Sequence, residues 1–339
     1  MSNQPLRIGI LGTANIARQF IAGVRPSSTV CVLAVGSRDA AKAASFAGET
    51  GVPRHYGSYE ALLADRDIDA IYNPLPNSLH AQWSIRAMEA GKHVLCEKPI
   101  AVTAAEARTM FEAARRCGVH LVEGYPYRAQ PQTLKLKELV ESGALGRVQL
   151  IQASMGFTMI SETNIRSSPL LGGGALMDVG VYPVSLARML SKERPSRVSA
   201  VAHWADSGVD RTLAATIEFP SGLLAQIAGT FATSVYRQAL IAGTEGVLQT
   251  TFTNHPAPVT PPVLYLRRGK GRDFAMENLE TPALNGFLAE AESFEQLIRG
   301  GAERWTGVTE QESVDIMLTV EALLQSARSG APVRIDQSR

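Results

Sequence analysis

Two short motifs carry side chains that could do chemistry together. Cys96-Glu97-Lys98-Pro99 closes an apolar run, and Leu171-Gly172-Gly173-Gly174-Ala175-Leu176-Met177-Asp178-Val179-Gly180-Val181-Tyr182-Pro183 is the most unusual stretch of the chain. A lysine at the carboxyl end of a strand, its approach fixed by Pro99, would project into a crevice. There it can donate to a carbonyl oxygen and, as a cation, stabilise a neighbouring phenolate or alkoxide. Three consecutive glycines free the backbone from steric limits. If a helix starts after them, Asp178 and Tyr182 share one face, and that face could meet Lys98. A plainer reading stands beside each: Lys98 paired with Glu97 at the surface, Asp178 balancing a helix dipole, Tyr182 packed in a core.

A second group of residues points to a dinucleotide. The apolar run Ile8-Gly9-Ile10-Leu11 leads into Gly12-Thr13-Ala14-Asn15-Ile16-Ala17, a GxGxxG-like pattern whose second and third glycines are alanines. A glycine turn between strand and helix lets backbone N–H groups and the helix N-terminus approach a pyrophosphate, and Ala14 is the smallest residue that still permits it. Because the turn opens a strand–helix–strand unit, a bound dinucleotide is favoured over a bare tight turn. Roughly 20 residues on, an NAD site places an acidic residue on the ribose. Here the chain reads Gly36-Ser37-Arg38, with Asp39 as the one substitute. A hydroxyl and a guanidinium donate to a 2′-phosphate that a carboxylate would repel, so NADP is favoured, with NAD the alternative if Arg38 is only a solvated charge. Asn73-Pro74-Leu75-Pro76-Asn77-Ser78-Leu79-His80 falls at the carboxyl end of another strand, the edge where open α/β sheets bind ligands. Its plainer reading is a rigid loop, with His80 on a helix surface.

These motifs need elements to hold them. Apolar runs at Leu6 to Leu11, Val30 to Val35, Ala70 to Tyr72, His93 to Cys96 and His120 to Val122 alternate with helical patterns, the signature of a parallel sheet; a further short strand is expected near His55. Helices are expected over Tyr59 to Ala64, Ser78 to Ala90 and Thr103 to Cys117. The last of these has a Thr103–Glu106 capping box and an apolar stripe of Ala107, Met110, Phe111, Ala114 and Cys117. After Glu123 comes one helix, Gln132 to Ser142, and then strand-like alternation: Val148 to Gly156, Val198 to His203, Leu213 to Phe219 with Leu223 to Phe231, and a hairpin over Ala239 to Thr250. This predicts a mainly antiparallel second sheet, a surface loop over Thr253 to Pro262 and two closing helices, Asn285 to Ile298 and Thr309 to Ser329. The second closing helix has a Thr309–Glu312 capping box and a stripe of Val314, Met317, Val320, Leu324 and Ala327.

At 339 residues the chain is too long for one ordinary core, so two domains are expected, 1–123 and 124–339, with the last helix placed to pack back on the first. A balance of 33 Lys plus Arg against 32 Asp plus Glu gives no field to hold nucleic acid or an anionic membrane, so neither is expected as a partner. Composition is that of a soluble globule, 45% hydrophobic and 19% charged, with no stretch expected to span a membrane and no signal-like start. Cys31, Cys96 and Cys117 suggest neither disulfides nor a metal site, and a cytoplasmic location fits a reduced state.

Taken in order, the glycine turn, the PxPNxxH segment, the EKP segment and the GGGxxxDxGxY segment resemble the Gfo/Idh/MocA family of nicotinamide-dependent oxidoreductases, over nearly the whole chain. The resemblance implies an α/β fold: an N-terminal Rossmann domain with a doubly wound parallel sheet, and a C-terminal α/β domain with an open, mainly antiparallel sheet that joins homodimers or homotetramers. It implies Lys98, Asp178 and Tyr182 as catalytic residues. Pro74, Asn77, His80, Glu97 and Lys98 are placed beside the cofactor with Gly12, Thr13, Ala14, Asn15, Ile16, Ser37 and Arg38. Tyr125 and Arg166 are weaker candidates for the substrate side. Tyrosine at 182, where many members carry histidine, is similar to the branch with dimeric dihydrodiol dehydrogenase and NADP-dependent D-xylose dehydrogenase. That implies hydride transfer to or from a sugar or trans-diol, Tyr182 moving the proton, Lys98 lowering its pKa, and Asp178 orienting Lys98 or binding a substrate hydroxyl. Two other outcomes exist within the family, a dinucleotide-binding sensor without net redox and an NAD-dependent glycosidase.

Overall fold

The computed structural model describes residues 4–159, 163–251, 261–271 and 275–338. The first half alternates strand and helix: β1 (Leu6–Leu11), α1 (Asn15–Val24), β2 (Val30–Gly36), α2 (Ala40–Thr50), β3 (Arg54–Tyr56), α3 (Tyr59–Leu63), β4 (Ala70–Asn73), α4 (His80–Glu89), β5 (His93–Glu97), α5 (Ala104–Cys117) and β6 (Leu121–Gly124). The strands run in the order β3-β2-β1-β4-β5-β6, every pair parallel. This is the doubly wound Rossmann order, and the direction of strand succession reverses between β1 and β4, opening a crevice beyond their carboxyl ends. The runs are apolar on both sides because helices cover both faces: every residue of β4 is buried.

Local chemistry sets the helix ends. The side chains of Asp39, Ser58 and Thr103 accept from the backbone N–H groups of Lys42, Ala61 and Glu106. The expected Thr103–Glu106 capping box is only half formed, since the Glu106 carboxylate takes the N–H of Val102 in place of that of Thr103. Thr309 and Glu312 form theirs completely.

The second half supplies α6 (Pro131–Glu141), β7 (Val148–Thr158), α7 (Val181–Ser191), β8 (Arg197–Trp204), β9 (Asp210–Glu218), β10 (Leu224–Thr230), β11 (Ala232–Gly243), β12 (Gly246–Thr250), β13 (Val263–Arg268), β14 (Met276–Glu280), α8 (Gly286–Gly300), α9 (Glu310–Ser329) and β15 (Val333–Arg334). Its sheet runs β14-β13-β12-β11-β7-β10-β9-β8-β15, and β7–β10 is the one parallel pair among the described strands. Helices α7 and α9 cover one face. The other carries polar side chains such as Gln152 and Gln226, whose amides hydrogen bond at 2.7 Å across the parallel pair. Most of the expected loop over Thr253 to Pro262 lies outside the described residues.

Two expectations need correction. Cys117 in α5 and Leu324 and Ala327 in α9 are only half-buried, because they sit at the margins of their stripes. The stretch Pro169–Ser191 is long and apolar enough, at a mean hydropathy of 1.4, to resemble a membrane span, although no such stretch was expected. It is a broken core segment, 72% buried inside the protein, and includes the charged Asp178. Helix α8 also returns to the first sheet, where Phe287, Ala291, Phe294 and Leu297 join Phe20, Tyr72, Leu95 and Val122 in one core. Phe20 stacks on Tyr72 at 3.9 Å between ring centroids and meets the edge of Phe287 at 5.7 Å. The last helix, α9, touches the same half from the other side, where Glu321 accepts from the Ala104 N–H at 2.8 Å.

Because Phe287 fills that shared core, Phe287→Ala is expected to cost about 3–5 kcal/mol. Urea unfolding checks this, and the loss should appear in the same transition as that of Phe20→Ala.

Candidate active site

Lys98 leaves the carboxyl end of β5 and meets the loop before α7. Its Nζ donates to Asp178 Oδ1 at 2.9 Å and to the Asp178 carbonyl oxygen at 2.8 Å. The other carboxylate oxygen, Oδ2, accepts from Arg166 Nε at 2.6 Å. The Asp178 side chain is only 14% exposed. Burial pushes its pKa up, but the two cations outweigh burial and hold it at about 2. Asp178 is therefore ionised at neutral pH, and both of its oxygens are engaged.

Asp178 and Tyr182 do come to one site, by a different coil from the one expected. Leu176–Gly180 is a π-turn that runs into α7, with Tyr182 in the first turn of α7. The glycines before it are packed tightly. At Gly174, with φ +119°, an added Cβ would lie 2.2 Å from Asp210 Oδ1, and Asp210 Oδ2 accepts from the Leu176 N–H at 2.6 Å. Asp210 thus fixes the start of the turn that carries Asp178. The Tyr182 ring is buried, with Lys98 Nζ 5.2 Å from its centroid, Tyr125 edge-on at 5.5 Å and Tyr127 at 5.9 Å.

The same cleft, 260 Å³ in volume, extends to the edge where β1 and β4 diverge. Ile16, Pro74, Leu75, Asn77, His80 and Glu97 line it on that side. Gly12 turns at φ +85°, and a Cβ there would press on Leu75 at 3.1 Å. Helix α1 begins at Asn15 with Ala14 at its N-cap and no side-chain cap, so its first N–H groups are left for a ligand. A pyrophosphate fits this cradle. Nearby, Arg38 lies against the Tyr59 hydroxyl, and Ser37 is buried with its hydroxyl accepting from the Asp39 N–H at 3.2 Å. The Asp39 carboxylate caps α2.

His80 is wholly buried. Its Nδ1 is 2.8 Å from the Pro99 carbonyl oxygen and its Nε2 2.7 Å from that of Leu75. Burial pushes its pKa down to about 4 against the pull of the two carbonyls, and a neutral ring, with one N–H, donates to only one of them while packing between the β4 and β5 loops. Asn77 Nδ2 donates to the Gly172 carbonyl at 2.8 Å. Glu97 is buried and accepts from the Tyr72 hydroxyl at 2.6 Å; burial raises its pKa although Lys98 opposes the rise. Tyr125 is buried behind Tyr182 and does not line the cleft. Glu123 likewise supports from behind, accepting from the Ile100 N–H at 2.9 Å. Sequence reasoning missed Met155, Phe157 and Arg237 on the cleft's far wall. Their one signal is position, since Met155 and Phe157 alternate along β7.

Comparison with known proteins gives the family. Residues 6–125 match the family described as the oxidoreductase family with an NAD-binding Rossmann fold, and residues 133–249 match the GFO/IDH/MocA C-terminal domain. The chain belongs to the Gfo/Idh/MocA oxidoreductase family. It is 36% identical to D-xylose 1-dehydrogenase (NADP(+)) 2 of Haloferax volcanii, over 98% of this chain and 100% of that one. It is 33% identical to trans-1,2-dihydrobenzene-1,2-diol dehydrogenase of Danio rerio, over 92% and 95% of the two chains. The aldose-aldose oxidoreductase of Caulobacter crescentus, solved with glycerol, superposes with a TM-score of 0.86 at 28% identity, covering 97% of this chain and 99% of that one. This Gfo/Idh/MocA member is thus an NAD(P)-dependent dehydrogenase or reductase with the family's two-part architecture.

The charge on Asp178 has a consequence for stability. A carboxylate whose native pKa is held below its unfolded value stabilises the fold above the unfolded pKa, and this is lost as pH falls through the native pKa. From 3.8 to about 2, the contribution is about 2 kcal/mol, present above pH 4 and gone near pH 2. The stability gap between wild type and Asp178→Asn, measured by urea unfolding, should narrow by about 1.5 kcal/mol between about pH 6 and about pH 2.5.

Proposed function

We propose that the chain is an NADP-dependent oxidoreductase that moves hydride between the nicotinamide and a hydroxyl or carbonyl carbon of a sugar or trans-diol. The observation that carries this reading is one cleft with the Lys98–Asp178–Arg166 cluster beside Tyr182, reaching to the uncapped helix N-terminus behind Gly12. Relatives named as an NADP(+)-dependent xylose dehydrogenase, a dihydrobenzene-diol dehydrogenase and an aldose-aldose oxidoreductase support the substrate class.

When bound, NADP accepts or returns hydride at its nicotinamide C4. Gly12, Thr13, Ala14, Asn15 and Ile16 would hold the pyrophosphate, and Ser37 and Arg38 the 2′-phosphate. Pro74, Asn77, His80 and Glu97 shape the edge beside it, His80 by packing between two loops. Tyr182 takes the proton from the substrate hydroxyl in oxidation and returns it in reduction. A phenol with a pKa near ~10 needs about 2.7 kcal/mol of preferential phenolate stabilisation to drop by about 2 units. An ionised Asp178 alone would oppose that. Here two cations flank it, so the cluster of Lys98, Arg166 and Asp178 carries a net positive charge towards Tyr182. Lys98 supplies the cation nearest the ring, Asp178 orients it, and Arg166 offsets the carboxylate. Tyr125 packs behind Tyr182 and sets its tilt.

The division at 123/124 separates cofactor-binding from substrate-binding residues, with α8 returned to the cofactor side. The open face of the second sheet, with Leu224 and Tyr265 exposed, would join copies into a dimer or tetramer. The three free cysteines suit a reducing cytoplasm.

Two measurements test the reading. With a panel of aldoses and trans-diols, growth of reduced-nicotinamide absorbance should fall by at least about 10²-fold in kcat for Tyr182→Phe and for Lys98→Met, while the NADP Kd changes less than about 3-fold. Unchanged turnover in either variant removes that residue from the chemistry. Arg38→Ala should raise the NADP Kd by about 10–100-fold and leave that for NAD nearly unchanged. Fluorescence titration of the two cofactors checks this.

A further inference from the structure

The cleft's far wall carries a cation that the chemistry above does not use. Arg237 on β11 pairs with Met155 on β7. Their neighbours Gln238 and Ser154 line the open face of the sheet. By the two-residue alternation of strands, Arg237, Met155 and Phe157 point the other way, and all three line the cleft that holds Lys98, Asp178 and Tyr182. On that same side β11 continues as Ala239 and Ile241, both buried, so a guanidinium interrupts an apolar row. It is half-buried and makes no hydrogen bond or ion pair among the described residues. Arg166 and Lys98 are already matched by Asp178, and the Glu97 carboxyl is engaged by Tyr72 and by the Lys98 N–H. Arg237 is thus left facing the cleft beside apolar Met155 and Phe157, where a charge gains most from an opposite one.

We propose that Arg237 receives an anionic group on the substrate, so that the preferred substrates are sugars or diols bearing a carboxylate or a phosphate. This rests on the oxidoreductase reading above and narrows its substrate class. A guanidinium fork takes two oxygens of either group in parallel hydrogen bonds. The anion would anchor one end of the substrate on the second sheet, with the reacting carbon towards Tyr182.

The test uses the whole chain with NADP and three probes that differ in one group: D-glucose, D-glucuronate and D-glucose 6-phosphate. In the wild type, kcat/KM for one of the anionic sugars should exceed that for glucose by about 30-fold or more, and the ratio of glucuronate to phosphate identifies the anion. Arg237→Gln should bring the anionic-to-neutral ratio close to one through KM, and Arg237→Lys should restore part of it. Equal rates with neutral and anionic sugars, or a preference that survives Arg237→Gln, overturn the proposal. Calorimetric titration of each sugar into the NADP-loaded protein separates the two readings. Anion binding that depends on Arg237 without turnover supports this site and sinks the oxidoreductase reading for these sugars. Neither binding nor turnover with the anionic sugars, whatever glucose does, overturns the anion site.

Discussion

Asp178 is where the two halves of the cleft are joined by charge. Lys98 comes from the end of a parallel strand and Arg166 from a loop ahead of the glycines, and each occupies one oxygen of the same carboxylate. Removing water from Lys98 and Asp178 is costly, and the arrangement tolerates it because the carboxylate is matched by Lys98 and by a partly exposed Arg166. The price is geometric: Lys98 can be held beside the Tyr182 ring only while the first sheet and the start of α7 keep their relative position. Much of the remaining architecture can be understood as meeting that demand.

Several contacts hold the halves together around it. Asn77 from the β4 loop reaches across to the Gly172 carbonyl. Helix α8 leaves the second sheet to fill the core of the first, and α9 reaches α5. A buried pair between Arg128 and Glu312, 2.9 Å apart, anchors α9 beside the segment that follows β6. The bonds Asn77–Gly172, Lys98–Asp178 and Glu321–Ala104 each join a residue before 124 to one after it, so parting the halves means breaking all three.

How much of this was legible in the sequence follows from how local each signal is. The first sheet was readable almost to the residue, because strands covered on both faces appear as continuous apolar runs, and α3 and α5 start at Ser58 and Thr103. Lys98, Asp178 and Tyr182 were legible as types at the right ends of elements. Their meeting was an inference that only three dimensions could carry, and it came through a π-turn where a plain helix start was expected. What stayed hidden is long-range. The parallel β7–β10 pair joins segments more than 60 residues apart, and alternation tells which face of a strand is buried but not which strand lies beside it. In the same way the stripe of Phe287, Ala291 and Phe294 announces a buried face without naming the sheet it covers. His80 was placed beside the cofactor, with a helix surface as the plainer reading, and its full burial was in neither, because nothing local signals two carbonyls converging on its ring.

The Arg166 contact changes the electrostatics most. With only Lys98 and Asp178, the pair would be nearly neutral towards Tyr182, and lowering the pKa of a phenol would depend on a small difference in distance. Adding Arg166 on the far oxygen spends the carboxylate's charge on a group further from the chemistry, and Lys98 then acts on the tyrosine as a cation that is less offset. The same three residues also explain why an ionised carboxylate can sit so close to a tyrosine expected to lose a proton. Its role is to position a cation, and the second cation keeps that service from raising the barrier it is meant to lower.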